Sequence, residues 1–501
     1  MKTRIFSQAT FFILLSLSML FLISCAVNPV TGKKELSLLS YKGENSLGRR
    51  ADQQIVSMIG LYYEKPAVGK YVNELGQEMA IISHRPFLQY HFRVLDSPVV
   101  NAFALPGGYV YVTRGLLAYM NSEAELAGVE GHEIGHITAR HAASQYTKAQ
   151  LSQIGFGMGS ILFPPSVLVG NAVQAGVGLL FLGFSRGYER QADSLGVEYS
   201  SRIGYDAGQM AHFFTTLHRL QEQSGQGLPD WLSTHPDPED REVATLRMAT
   251  RWQKKWQRVL PSYTFKVERD HYLDTIDGLV FGPERRRGLV RNGYFYHALL
   301  DYQFPIPEGW QLMNSPQQIQ MINNSRTAVI ELTLSQQPSA KSAAEKLVAD
   351  ARGKIIHSER ATVNGYTTEI REIEMRREIQ TAQTRRMDLP ETETFKLLAY
   401  FIEKDGQVYA FQALCRRRYY RKNESSFKYT MNNFDRLKNQ EIKNMRPTRI
   451  KVVRVTQSTT LQDFLARYPN DQLSKDRMAI LNGMNLTDRL QPADRIKILT
   501  N

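Results

Sequence analysis

At 501 residues the chain exceeds one ordinary hydrophobic core, so about two to four domains are expected. Hydrophobic residues at 42% and charged residues at 22% exclude a disordered or fibrous chain. The formal charge of +13 is concentrated late, with 38 Lys and Arg against 28 Asp and Glu over residues 266–501. Without any groove-reading or base-stacking motif, that excess reads as solvated surface or contact with acidic lipid or cell wall, not nucleic acid.

The chain opens with basic Lys2 and Arg4, an uncharged apolar run from Phe11 to Ile23, and Leu22-Ile23-Ser24-Cys25, an ending that resembles a bacterial lipobox. The apolar run falls short of the ~20 residues that span a bilayer. Residues 1–24 are therefore expected to be a lipoprotein signal peptide and Cys25 the lipidated residue; an uncleaved anchor is the alternative. With Cys25 lipidated, Cys415 is the remaining thiol and no intramolecular disulfide can form. It lies in the apolar, strand-like run Tyr409 to Cys415, which predicts a buried inert thiol and disfavours a cysteine hydrolase.

Turn formers Asn28-Pro29 and Thr31-Gly32 suggest that residues 25–42 are a tether. Helical periodicity begins near Gly43 and again from Val68 to Ile82, and His91 to Leu95 and Val110 to Val112 read as strands, the second behind the turn Pro106-Gly107-Gly108. From Ser122 the pattern is helical once more, and Ser122 followed by Glu125 fits a capping box. Residues 149–185 carry no charge, but Gly and Pro interrupt them so often that a buried or interfacial segment is expected, not a span. Beyond Pro261, hairpin signals at Asn364-Gly365 and Asp405-Gly406 and helical stretches at Ala343 to Arg352 and Phe427 to Lys438 indicate an α+β accessory domain. The last fifty or so residues read as a further small module.

The chemistry is concentrated in His132-Glu133-Ile134-Gly135-His136. Residues four apart on a helix differ by about 40° of rotation, so both imidazoles can reach one zinc ion, and Glu133 can reach a water on it as general base. A polar pair at this spacing is also ordinary helix surface. Here Val129, Ile134 and Ile137 make the helix predominantly apolar, and buried histidines need partners that a metal supplies. His141 stands about 140° round from His136 on a continuous helix and is not a ligand by that geometry. A catalytic zinc takes a third protein ligand. Glu189 and Asp193, four apart, fit a ligand and a carboxylate that orients a ligand histidine, although the pair alone equally fits an exposed acidic surface.

Taken with Asn101-Ala102-Phe103-Ala104-Leu105-Pro106-Gly107-Gly108 upstream, and Glu189, Ser233-Thr234-His235-Pro236 and Arg241 downstream, the motif resembles the HtpX and CAAX-prenyl-protease type of gluzincin zinc metallopeptidase. Cys25 to Gly32 is similar to the start of that family's periplasmic lipoprotein branch. The resemblance implies metal ligands at His132, His136 and Glu189, a catalytic Glu133, and Asp193 in support. It further implies an oxyanion-stabilising or gating His235, a supporting or substrate-binding Arg241, and an edge strand that includes Asn101, Gly107 and Gly108. Arg449 to Ile498 resembles a LysM cell-wall-binding module, with Gln457-Ser458 in place of that family's opening Gly-Asp.

The expected architecture is thus α+β: a mainly helical gluzincin domain with a small edge sheet at 43–260, an α+β accessory domain at 261–446 and a LysM-like module at 447–501. The expected activity is zinc-dependent endoproteolysis, with one Zn2+ per chain, in the periplasm, the chain being anchored as a lipoprotein to the inner leaflet of the outer membrane. Expected partners are unfolded or misassembled envelope proteins, the bilayer through lipidated Cys25, and peptidoglycan through residues 449–498. The rival readings are an assembly chaperone with a gated zinc site and a cell-wall-associated hydrolase.

Overall fold

The computed structural model describes residues 25–155, 183–224, 231, 235, 238–284, 287–315, 318–379 and 391–501. The expected signal peptide and most of the uncharged stretch at 149–185 lie outside the described residues. The described chain is mixed α+β and divides into two units, one formed by residues up to 283 together with 448–501, the other by 284–447.

The first unit starts with a ribbon of strands β1 (Cys25–Val27) and β2 (Lys34–Leu36), so residues 25–42 are not a free tether. Helix α1 (Tyr41–Ile59) is capped by the Ser40 side chain, and α2 (Pro66–Ile81) starts with Pro, whose missing N–H costs nothing there. Strands β3 (His91–Leu95), β4 (Ala102–Leu105) and β5 (Tyr109–Thr113) form a sheet of order β3-β5-β4, with β3 parallel and β4 antiparallel to β5. The β4–β5 turn needs glycine twice. Gly107 and Gly108 adopt φ of 84° and 98°, and a Cβ on Gly108 would stand 2.3 Å from the Gln89 carbonyl oxygen.

Helices α3 (Arg114–Tyr119), α4 (Glu123–Thr138), α5 (His141–Gly155), α6 (Arg186–Arg202), α7 (Gln209–Ser224), α8 (Pro238–Val259) and α9 (Arg269–Ile276) complete this part. Helix α4 is buried along its whole length. The Ser122 side chain caps it as expected by accepting from the Glu125 N–H, but the Glu125 carboxylate turns back to the Asn121 N–H, 2.9 Å away, so the capping box is not reciprocal. Gly128 and Gly131, which lower helix propensity, are explained by packing: Gly128 leaves room for Met210 of α7, and at Gly131 α6 crosses with backbone against backbone. A Cβ on Gly131 would lie 3.1 Å from the Gly196 Cα, and one on Gly196 would lie 2.9 Å from the His132 nitrogen.

In the second unit, β6 (Leu289–Arg291), β7 (Tyr294–His297) and β8 (Tyr302–Pro305) join β16 (Asp435–Arg436) in a four-stranded sheet. A seven-stranded antiparallel sheet has the order β12-β13-β14-β15-β11-β10-β9. Its strands are β9 (Trp310–Asn314), β10 (Gln318–Asn323), β11 (Ala328–Ser335), β12 (Lys354–Val363), β13 (Tyr366–Ile379), β14 (Glu391–Lys404) and β15 (Gln407–Arg416). Both hairpin signals are realised, with Asn364 and Asp405 at positive φ ahead of Gly365 and Gly406. Helix α10 (Ala340–Ala351) lies close to expectation, whereas α11 (Arg417–Asn432) starts ten residues earlier than its apolar periodicity suggests, directly after β15. Cys415 is buried in β15, and burial pushes its thiol up to about 11, out of the nucleophilic range.

The chain then returns to the first unit. Strand β17 (Arg449–Arg454) pairs with β20 (Arg495–Thr500), β18 (Thr459–Thr460) with β19 (Arg489–Leu490), and α12 (Leu461–Ala466) and α13 (Lys475–Leu481) lie between. This stretch shares one hydrophobic core with the helices: Ile450, Phe464 and Ile480 belong with Ile134, Phe213 and Leu273. The Lys497 ammonium, fully buried, donates to the Ala118 and Met120 carbonyls at 2.8 Å each. Nor does the expected junction at 261 coincide with the division of the chain, because Tyr272, Leu273 and Ile276 of α9 are buried in that same core.

The glycine contact makes a direct prediction. Gly196→Val forces α6 away from α4 and should cost about 1–3 kcal/mol in urea denaturation. Because the same shift separates Glu189 from His132 and His136, zinc bound per chain should fall with it.

Candidate metal centre

Helix α4 supplies His132 and His136 on one side, as their spacing requires, and α6 supplies Glu189 and Asp193 one turn apart on the face that meets α4. His235 joins them: one ligand atom from each of His132, His136, Glu189 and His235 lies within 4.8 Å of the others, and all four residues are buried. The two imidazole Nε2 atoms stand 2.9 Å apart, and the Glu189 carboxylate oxygens lie 3.6 Å from that of His132 and 3.5 Å from that of His136.

Hydrogen bonds fix the tautomers. Asp193 accepts from the His132 Nδ1–H at 2.8 Å, which leaves His132 Nε2 without a proton. His141 donates its Nε2–H to the Gln191 side-chain oxygen at 3.0 Å, so its Nδ1 accepts from the His136 Nδ1–H, also at 3.0 Å. His136 Nε2 is thereby bare as well. Two unprotonated nitrogens facing each other at 2.9 Å beside a carboxylate repel unless a cation lies between them. The donor set, two imidazoles and a carboxylate, suits zinc, and these residues would hold it.

Charge around the centre is balanced by Arg241, which grips Asp193 with two bonds of 2.7 and 2.8 Å and reaches Glu189 at 3.0 Å. Burial raises the Asp193 carboxyl, but Arg241 and His132 outweigh it and hold it at about 2. Glu189 is likewise held low, burial being overcome by His235, His132 and Arg241. The guanidinium also stacks on the Phe214 and Trp231 rings, 4.6 and 4.8 Å away. Glu133 differs from these groups. Both its oxygens are buried without a hydrogen-bond partner, and burial raises its pKa. His235 lies with Nδ1 3.1 Å from each Glu189 oxygen and 3.3 Å from His132 Nε2, while its own Nε2, without a partner, is 3.6 Å from Glu133. Its ring stacks on Trp231 at 4.8 Å.

Of the residues singled out in the sequence, His132, Glu133, His136, Glu189, Asp193, His235 and Arg241 are brought together. Asn101, Gly107 and Gly108 are not part of this cluster. Asn101 is buried at the start of β4, where Thr113 bonds to its backbone, and the two glycines form the turn beyond that strand. Sequence reasoning missed His141 and Gln191. A continuous helix would carry His141 away, but α4 ends at Thr138, Arg140 takes φ of 58°, and the chain turns His141 back onto His136. Trp231, four residues before His235, offered no signal of its stacking role.

Residues 66–249 match the model of peptidase family M48. The chain is 32% identical over 224 residues to the beta-barrel assembly-enhancing protease of Yersinia pestis, and 32% over 229 residues to that of Escherichia coli, in each case covering 42% of this chain and 45% of the relative. It is 36% identical over 168 residues to the mitochondrial metalloendopeptidase OMA1 of Arabidopsis thaliana, 32% of each chain. The chain spans less than half the length of these curated relatives.

Two substitutions test the geometry. Arg241→Leu leaves Asp193 and Glu189 buried without their cation and should destabilise the protein by about 3–5 kcal/mol in urea denaturation. His141→Phe frees the His136 ring and should weaken zinc binding about 10- to 100-fold, read by competition with a chromophoric chelator, with the circular dichroism spectrum unchanged.

Proposed function

We propose, from the match of residues 66–249 to the model of peptidase family M48, that this protein is a zinc-dependent endopeptidase of the bacterial envelope. The observation that carries the reading is the pair of bare imidazole nitrogens held face to face beside Glu189, with an unpartnered Glu133 next to them. His132, His136 and Glu189 hold one Zn2+ per chain, with Asp193 and His141 orienting the two rings. When bound, zinc supplies Lewis acidity, which polarises a scissile carbonyl and acidifies water. Glu133 takes the proton of the attacking water and passes it to the leaving amine, and its raised pKa suits a group that must do both.

Strand β4 leaves one edge unpaired among the described residues, on the side of the sheet order away from β5. An extended chain laid along that edge is bound through its main chain, with little sequence preference. Such recognition fits unfolded segments. Together with the names of the relatives it supports misfolded or stalled envelope proteins as substrates. Lipid on Cys25 anchors the enzyme to the inner leaflet of the outer membrane in this reading.

His235 has two roles open to it. Its Nδ1 sits among the ligand atoms, where it closes the site at rest as a gate, and its Nε2 is free to donate to a developing oxyanion. The first role favours a protein that binds assembly intermediates and rarely cleaves them.

The test uses the full acylated chain and an unfolded outer-membrane protein. Wild type and Glu133→Gln should each bind one zinc, while Glu133→Gln and chelator-treated wild type should cleave at least ~10²-fold more slowly; equal cleavage by Glu133→Gln would end the peptidase reading. With zinc retained, His235→Ala accelerates cleavage if the histidine gates the site and slows it if it stabilises the oxyanion.

A further inference from the structure

The segment after Cys25 is bolted to the end of the metal-binding helix. The Asn28 side-chain amide donates to the Ala139 carbonyl at 3.2 Å in a buried contact, only three residues past His136. The Asn28 amide also donates to Glu35, whose other oxygen accepts from Ser144 of α5 at 3.1 Å. Arg140 donates to the Leu39 carbonyl at 2.8 Å, and the Leu38 N–H to Thr147 at 3.0 Å. Arg85 and Arg140 both clasp Glu44 and lie over the Tyr41 ring. Every carboxylate between residues 25 and 50 is thus used inside the protein: Glu35 and Glu44 are the two.

What the same segment shows to solvent is different. In the β1–β2 register Val27 stands opposite Lys34 and Leu36 opposite Cys25, so these positions share the face away from Glu35. Val27, Leu36, Leu38 and Tyr41 are exposed by 45, 43, 40 and 49%. Lys33, Lys34, Lys42, Arg49 and Arg50 are exposed beside them in sequence, with no exposed acid among them. Exposed apolar side chains flanked in sequence by exposed cations are the pattern of an interfacial surface on anionic lipid.

We propose that this ribbon and the start of α1 rest on an anionic membrane surface, with Val27, Leu36, Leu38 and Tyr41 in the headgroup region and the lysines against phosphates. This deepens the reading above and rests on it for lipid at Cys25. Three residues of chain reach at most about 10 Å, so a membrane that holds residue 25 also holds Ala139 and the end of α4. The metal centre is then fixed near the bilayer, and the chain segments it meets are those lying at the membrane surface.

The experiment places an environment-sensitive fluorophore on Leu38→Cys or, as control, on Val259→Cys, which is exposed at the far end of α8. Buried Cys415 stays unlabelled. The full acylated chain is reconstituted into vesicles of phosphatidylethanolamine with phosphatidylglycerol, and into phosphatidylcholine vesicles. At position 38 the emission should shift to the blue and be quenched by bromolipids in the anionic vesicles, and Lys33→Glu with Lys34→Glu should abolish both effects; position 259 should show neither. Emission at 38 as water-like as at 259 overturns the docking. Mass spectrometry of the N-terminal residue reads acylation separately: an acylated chain with an exposed probe overturns only this inference, an unacylated chain overturns the anchor, and a buried probe supports docking in either case.

Discussion

The centre depends on how closely two helices can approach. Glu189 and Asp193 reach His132 and His136 because α4 and α6 touch through Gly131, Gly135, Ala192 and Gly196, where backbone meets backbone. Side chains of ordinary size would move the helices apart by ångströms, and no rotamer could restore a set of donors that must converge on one ion. These glycines also cost helical stability, roughly 1 kcal/mol each relative to Ala, so α4 is held by burial, not by its own propensity.

Around the ligand cluster most of the side chains that touch it are committed. Asp193 is shared between Arg241 and His132, His136 is fixed by His141 and through it by Gln191, and the Arg241 cation offsets two carboxylates in a dry interior. Glu133 and the outer nitrogen of His235 are the exceptions, the buried polar atoms left uncommitted beside the ligands. Leaving a buried group unpaired costs free energy, which is the kind of cost that functional sites bear.

The centre was readable in the sequence to the extent that it is local. His132, Glu133 and His136 follow from one helical period, and the Glu189–Asp193 pair from another. Contact between the two helices has no signature of that kind; the resemblance supplied it. His141 was unreadable because a single residue, Arg140 at positive φ, breaks the period on which the rotation argument relied. The hairpins at Asn364-Gly365 and Asp405-Gly406 were legible because turn chemistry is local, while the start of α11 was not, since Arg416 to Arg418 lacks an apolar period. The terminal module looked separate because its pattern closes on itself: β17 pairs with β20. Only the third dimension reveals that its other face is part of the first unit's core.

That shared core has a consequence for how the molecule is made. Residues 448–501 complete a unit that otherwise ends at 283, with the whole second unit lying between in sequence. Ile450 exchanges backbone bonds with Gly278 and Leu279, and Lys497 caps carbonyls 379 and 377 residues earlier. Contacts of such long range form late, since the loop between them must close first. The first unit therefore cannot finish folding until residues 448–501 have arrived, and a copy stalled before them lacks one wall of the core that supports α4. The cluster of His132, His136 and Glu189 would then take its final geometry only after residues 448–501 had been made.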